Sequence, residues 1–269
     1  MKLFLFTFIF LFSSLNATDD IQFRISYPQE LPNNFRAFPD LQVSGSCQFS
    51  VSNLPALLNN IPNPKVVIID LREESHGFIN NLPVMWYNTH NDVNRGKSLH
   101  EIIADEQNRL TNALHSPILH SSKKDQNSIV PTTVATEEEA VIAAGARSLR
   151  LPVTDHSRPN DATVDMFIYH IKKKENSWFH LHCHAGKGRT TTFLLIYDML
   201  HNAHEKSFES FLTKHLQAGG SDFLKSEDPS NWKYDLSMAR KAFLQKFYRF
   251  CKEADLNTET WSEWSQRNP

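Results

Sequence analysis

The sequence predicts an α/β fold with a central sheet flanked by helices, on two observations. Short apolar, β-branched runs alternate with segments of helical periodicity, and three of the expected strands end in unusual polar clusters. The first strand, Val66-Val67-Ile68-Ile69-Asp70, delivers Asp70, Leu71 and Arg72 to its C-terminal edge. Residues before it, 18 to 45, are polar and rich in Pro and Asn and read as an extended lead-in with little helix. After it, Lys97 to Leu114 carries apolar residues at helical spacing. Residues 115 to 135 mix Ser, Pro, Lys and Val, as loops and short strands do. Thr136-Glu137-Glu138-Glu139 opens a helix, because a capping hydroxyl is followed three residues on by a glutamate and then by alanine-rich sequence. A second strand, Arg147 to Val153, leads into Thr154-Asp155-His156, and a helix follows from Ala162 to Lys173. The third strand, Trp178 to His182, passes through a glycine-containing turn into the apolar helix Thr190 to Leu200. Two more helices fit Phe208 to Leu216 and Leu236 to Lys252. Ligands of such sheets sit outside the carboxyl ends of the strands, so the three polar clusters are expected to converge on one site.

The chain has 269 residues, and its N-terminus has the pattern of a segment that is removed. Met1-Lys2 precedes an apolar run from Leu3 to Phe12, then Ser13-Ser14-Leu15-Asn16-Ala17, the n-region, h-region and small residue of a signal peptide. Residues 1–17 are therefore expected to be a signal peptide, with a buried N-terminal helix or an uncleaved anchor as the alternative. Residues 18–269 form the folded domain, enough for one large unit or a core with a small appendage. The run is too short to span a bilayer comfortably. No later stretch reaches that length without charges. The expected product is exported (periplasmic or secreted) and soluble, with no membrane partner.

A formal net charge of −2 excludes a general polyanion binder, so no nucleic-acid partner is expected and any anion site must gather its positive charge locally. Three cysteines are too few for a disulfide scaffold. Cys47 and Cys251 could pair in an oxidising compartment and leave Cys183 free, but spacing does not set that geometry. There is no internal repeat and no long low-complexity tract.

His182-Cys183-His184-Ala185-Gly186-Lys187-Gly188-Arg189-Thr190 is the most informative stretch. A cysteine at a strand end is followed six positions on by an arginine at a helix start, with two glycines that let the backbone curl between them. Successive amide N–H groups of such a turn can face one centre, which makes an anion site at a helix N-terminus. Arg189 can fork two hydrogen bonds onto a phosphate. The same positive end favours a thiolate on Cys183, the form that attacks phosphorus. Thr190 can donate to that sulfur, and Lys187 adds a charge at the rim that suits a substrate with several phosphates. A lone cysteine before a helix is usually an ordinary buried residue. The full Cys-x5-Arg-Thr spacing between an apolar strand and an apolar helix is far more specific.

A phosphocysteine route needs a proton donor for the leaving alkoxide and a base for the attacking water. Asp155 lies at another strand end on a loop able to close, and is the best candidate. Alone it would read as a turn residue.

With these residues in place the chain resembles the protein tyrosine phosphatase superfamily, and within it the bacterial tyrosine-phosphatase-like phytases. The likeness runs along most of the mature chain: Asn34-Phe35-Arg36, Val43-Ser44-Gly45-Ser46, Asp70-Leu71-Arg72-Glu73-Glu74-Ser75-His76-Gly77-Phe78, Trp86-Tyr87, Gly96-Lys97-Ser98, Thr190-Thr191-Thr192-Phe193, Ala218-Gly219-Gly220 and Trp261-Ser262-Glu263-Trp264. Outside the Cys183 loop each match is weak, and their order is what counts. The resemblance implies a tyrosine-phosphatase-like α/β core with a small, mostly β appendage from the N-terminal half. It implies Cys183 as nucleophile, Arg189 as phosphate clamp, Asp155 as general acid and base, and residues 184 to 188 as the loop that holds the phosphate. It further implies that Arg36, His156 and Lys233, with Arg240 and Lys123 or Lys124, hold other phosphates of an inositol ring. It places an acidic contact near Asn91-Asp92, where the register is ambiguous.

Trp232 reads as a packing residue, and Asp70, Arg72, Glu73 and His76 as a buried polar network under the site. The implied activity is phosphomonoester hydrolysis of inositol polyphosphates such as phytate, without metal or other cofactor, so chelators are expected to leave it intact. The alternatives are a protein tyrosine or phosphoinositide phosphatase, whose lipid-phosphatase members share the loop lysine, and a non-catalytic phosphate-binding module.

Overall fold

The structure, a computed structural model, describes residues 21–121, 127–173, 176–225 and 227–269. Its strands are β1 (Gln22–Ile25), β2 (Arg36–Phe38), β3 (Val43–Ser46), β4 (Val66–Arg72), β5 (His76–Ile79), β6 (Leu82–Tyr87), β7 (Leu119–His120), β8 (Ser128–Ile129), β9 (Val134–Ala135), β10 (Arg147–Val153) and β11 (Trp178–His182). Its helices are α1 (Leu54–Asn59), α2 (Leu99–Leu114), α3 (Glu137–Ala143), α4 (Asp161–Lys173), α5 (Gly188–Asn202), α6 (Phe208–Gln217), α7 (Tyr234–Glu253) and α8 (Trp261–Arg267).

The central sheet has the order β10-β4-β11-β3-β2, parallel except for the antiparallel edge strand β2. All seven residues of β4 are buried, as expected for an inner strand covered on both faces. One face packs against α4, α5 and α7 through an apolar core that includes Val67, Ile69, Leu181, Phe193 and Phe247. The other packs against α1 and α3 through Ile68, Leu57, Val141 and Trp178. A second, antiparallel sheet of order β1-β6-β5-β9 carries α2 on a small core of its own, with Ile79, Val84 and Leu110.

Helix starts follow the capping chemistry in the sequence. Ser98, Thr136 and Thr260 each accept from the amide three residues on, while the glutamate there reaches back to the capping residue. The β5–β6 hairpin turns through Asn80 and Asn81, both at positive φ (51° and 67°), the two-residue geometry that matches strand twist.

The lead-in departs from expectation, because it contributes ordered strands. β3 is fully buried and paired on both sides, so position rather than composition makes Val43-Ser44-Gly45-Ser46 a strand. All three cysteines are free and buried, and Cys47 and Cys251 are not joined. Residues 1–17 lie outside the described residues. Among the described residues no helix is long and apolar enough to cross a membrane.

Candidate active site

The C-terminal ends of β3, β4, β10 and β11 meet at the head of α5. Cys183 follows β11 directly and is 3% exposed, and the Thr190 hydroxyl donates to its sulfur at 3.2 Å. The loop between them is held from outside. The Gln48 amide donates to the His184 carbonyl (3.3 Å), the Asn34 side chain to that of Ala185 (2.9 Å), and Arg36 to that of Gly186 (2.9 Å). In a trans peptide the N–H points opposite to the carbonyl, and no peptide here is cis. The amides of Ala185, Gly186 and Lys187 are therefore turned away from these donors, to the opposite side of the loop. Two glycines make this path possible. Gly186 sits at φ 67°, and a Cβ there would lie 2.6 Å from the Ser46 carbonyl oxygen and closer still to the Cys47 nitrogen. A Cβ on Gly188 would meet the Arg240 guanidinium at 3.0 Å.

Arg189, which follows this loop, is buried. Its Nη1 and Nη2 donate to the two carboxylate oxygens of Glu74 at 2.6 and 3.0 Å, Nη1 also donates to the Val153 carbonyl (3.1 Å), and Nη2 lies 3.2 Å from Asp155. Burial opposes its charge, but Asp155 and Glu74 outweigh burial and hold its pKa well above the usual value. Burial likewise pushes the Glu74 carboxyl up, and Arg189 and Arg72 bring it well below the carboxylate range. Arg72 Nε donates to Glu74 at 2.8 Å, so one buried carboxylate serves two arginines.

Asp155 lies on the loop after β10, followed by His156 in the left-handed region (φ 61°). Its carboxylate accepts from the His156 amide (3.0 Å) and from the Asn91 side chain (2.9 Å). Burial raises its pKa, but Arg189, His156 and Asn91 leave it below the ordinary aspartate value. His156 is shifted down, first by burial and then by Lys233, Arg240 and Arg189, against the pull of Asp155.

Beside the loop opens a cavity of about 320 Å³ whose lining includes His156, Lys187, Lys225, Lys233 and Arg240. Burial lowers the Arg240 pKa to about 10, which leaves it cationic near neutral pH, and its Nη2 donates to the Ser157 carbonyl (2.9 Å). Lys187 donates to the Gly219 carbonyl at 2.6 Å.

The structure thus brings Cys183, the loop from His184 to Gly188, Arg189, Thr190, Asp155, His156, Lys233 and Arg240 to one place. Arg36 lies under the loop instead of in the cavity, its Nη atoms committed to the carbonyls of Asn34 and Gly186 and to the Thr191 hydroxyl. Lys123 and Lys124 lie outside the described residues. Trp232, read as a packing residue, does not lie in the core. It is 47% exposed, with His90 and His156 rings at 4.4 and 5.2 Å, because the turn before α7 carries it to the surface.

A buried ionic network supports the site from below. His76 Nδ1 faces the Glu74 carbonyl (2.8 Å), and its Nε2 lies between Asp70 (3.2 Å) and Glu137 (3.4 Å). Burial and Arg72 disfavour its proton, yet Asp70 and Glu106 prevail and raise its pKa to about 9. Glu137 accepts from His182, the residue before Cys183, at 2.6 Å. Asp70, His76 and Glu137 place ligand atoms within 4.8 Å of one another, a spacing a cation could use. Arg150 already lies 3.1 Å from Asp70, and His76 bridges the two carboxylates, so these acidic groups are neutralised by the protein itself.

Sequence reasoning missed Glu74, Glu137 and Lys225 as parts of this site, and reached Asn91 only as one end of an ambiguous register for an acidic contact. Glu74 and Glu137 stood inside segments already singled out, without a role at the site, and Lys225 carried no local signal.

As a whole, the arrangement can hold a phosphoryl group over a sulfur nucleophile with a carboxyl beside it. Comparisons with known proteins agree. The family model of tyrosine-phosphatase-like phytases, described as inositol hexakisphosphate, matches residues 69–146 and 131–201. A PTP-like phytase from Bdellovibrio bacteriovorus is 34% identical, with 92% of this chain and 95% of that one covered and a TM-score of 0.82. The PTP-like myo-inositol phosphatase from Mitsuokella multacida, solved with myo-inositol-(1,3,4,5)-tetrakisphosphate, is 31% identical, with 92% of this chain and 48% of that one covered and a TM-score of 0.84. The effector protein hopD2 of Pseudomonas syringae pv. tomato is 28% identical over 246 residues, covering 84% of this chain and 51% of its own. The chain therefore spans about half the length of these last two proteins. With the fold, the loop and the extent of the first match taken together, the chain belongs to the protein-tyrosine-phosphatase-like phytase family.

Proposed function

We propose that the protein hydrolyses phosphomonoesters of inositol polyphosphates, phytate among them, through a phosphocysteine on Cys183. The observation that carries this reading is the joining of two features: a loop after Cys183 whose carbonyls are held from outside by Asn34 and Arg36, and a cavity beside it lined by Lys187, Lys225, Lys233, Arg240 and His156. One phosphate occupies the loop and the cavity's positive charge meets the others.

In the first displacement the Cys183 thiolate attacks phosphorus in line. The S–P bond forms, the P–O bond to the ring breaks, and the ring oxygen takes the proton of Asp155. In the second, Asp155 takes a proton from a water whose oxygen attacks phosphorus, and the P–S electron pair returns to sulfur. The Thr190 hydroxyl, 3.2 Å from Sγ, stabilises the thiolate as it leaves. Arg189 and the loop amides stabilise the equatorial oxygens, where such reactions gain most.

Asp155 must begin protonated although Arg189 and its other partners lower its pKa. A phosphoryl dianion in the loop adds a like charge and engages Arg189, and both effects raise its proton affinity. The rate is accordingly expected to peak at mildly acidic pH and to fall as Asp155 ionises.

Export after removal of residues 1–17 belongs to the same proposal, supported by the n-region and apolar run of the sequence. The N-terminal residue of the protein recovered outside the cytoplasm tests it. The substrate is tested by comparing turnover of phytate, a phosphotyrosine peptide and a phosphoinositide. Release of phosphate chiefly from phytate is expected, and good peptide turnover with negligible phytate release would overturn the assignment.

A further inference from the structure

The Asp155 carboxylate is approached from several elements. Arg189 of α5 lies 3.2 Å away, the ring of its neighbour His156 lies 3.5 Å away, and the charges of Glu74 after β4 and Arg240 of α7 also bear on it. The remaining partner is uncharged and comes from 64 residues earlier in the chain: Asn91 donates from Nδ2 to Asp155 Oδ2 at 2.9 Å.

Asn91 is presented by a braced loop. The Asn88 side chain donates to Asp92 and accepts from the Asp92 amide, both at 2.9 Å, while the Asp92 carboxylate lies 3.3 Å from Arg95. Asp92 is thereby turned into its own loop and Asn91 toward Asp155. Asn94 ties the loop to the Glu73 carbonyl (3.0 Å) and the Ser75 hydroxyl (2.9 Å). Asn91 itself sits at φ 57°, a conformation asparagine tolerates better than most side chains.

We propose that Asn91 is the positioning residue of the acid: its amide holds the Asp155 carboxylate in place and sets the proton affinity with which it alternates between acid and base. This rests on the reading of Asp155 given above. An N–H donor binds an ionised carboxylate much more strongly than a protonated one. When a phosphoryl group draws Arg189 away, the His156 amide and Asn91 are the donors left on the carboxylate. Removing Asn91 therefore favours the protonated form. The first displacement then persists to higher pH, whereas the second, which needs the ionised form, slows.

The test is the pH dependence of kcat/KM on phytate for Asn91→Gly, which keeps the positive φ without strain, and for Asn91→Asp, which sets a second carboxylate against Asp155. The alkaline limb is expected to move upward by about one pH unit in Asn91→Gly and further in Asn91→Asp. In an Asp155→Asn background the alkaline limb is expected to be lost, and Asn91→Gly to change the pH profile no further. A limb unmoved in both Asn91 variants, with only kcat reduced, would overturn the proposal while leaving Asp155 as the acid. An alkaline limb that survives Asp155→Asn would overturn the reading of Asp155 itself, and this proposal with it.

Discussion

Replacing Glu74 by glutamine tests whether one buried carboxylate organises the phosphate clamp. Glu74 is 1% exposed and accepts three charge-assisted hydrogen bonds, from Arg72 Nε at 2.8 Å and from Arg189 at 2.6 and 3.0 Å. Glutamine keeps the shape and one oxygen, but it turns an N–H toward a guanidinium and leaves a buried positive charge uncompensated. Breaking a buried pair in this way costs about 3–5 kcal/mol. Arg189 retains Asp155 and the Val153 carbonyl, so the lower end applies. At roughly 2–4 °C per kcal/mol for a domain of this size, the melting temperature should fall by roughly 6–12 °C.

The sign with pH follows from the depressed pKa of Glu74. Its contribution is present above its unfolded value and lost as pH falls through the folded one. The gap between wild type and variant is therefore full at neutral pH and narrows only well below the ordinary carboxylate range. Thermal unfolding across pH and kcat/KM on phytate provide the assay, with kcat/KM expected to fall by about a hundredfold as Arg189 loses its anchor. A variant that melts with the wild type at pH 7 and turns over normally would refute the reasoning.

Other outcomes follow from the same geometry. His76, raised to about 9 from 6.5, stabilises the fold fully below its unfolded pKa and loses that contribution as pH rises through about 9. Stability should therefore decline by on the order of 3 kcal/mol between pH 6.5 and 9 in urea titrations, and His76→Gln should flatten that decline. Gly186→Ala would place a methyl against the backbone of Ser46 and Cys47 at a φ that costs about 1–2 kcal/mol, and should lower kcat by about a hundredfold through loop displacement. Lys225→Ala and Lys233→Ala should each raise KM for phytate by about tenfold and barely change turnover of a small aryl monophosphate, because only a polyphosphate reaches the cavity they line.

The strands of the central sheet were legible wherever apolar side chains make them. Arg147–Val153 and Trp178–His182 have the expected bounds, the first marked by apolar residues at alternate positions (Leu149, Leu151, Val153) and the second by Trp178, Phe179 and Leu181. β3 was not legible, because a run of serines and a glycine becomes a strand only when flanked by β11 and β2. The hairpin at Asn80-Asn81 and the capping box of α8 at Thr260 and Glu263 were written in local signals that went unused.

The site divides in the same way. From Cys183 to Thr190 the chemistry lies in one contiguous segment, so its spacing could be read directly. Glu74 and Asn91 act on Arg189 and Asp155 from 115 and 64 residues away, and only the packing of β4 and of the loop after β6 brings them there. Arg36 shows the converse. The family resemblance implied a substrate contact for it, whereas its burial and its bonds to carbonyls make it a strut of the loop.

The most direct measurement is acid quenching of the protein during turnover of phytate, followed by mass analysis of the peptide that carries Cys183. Phosphate bound to the Cys183 sulfur is expected, with neither the adduct nor phosphate release in Cys183→Ser. Normal phosphate release by Cys183→Ser, or an adduct on another side chain, would contradict the account.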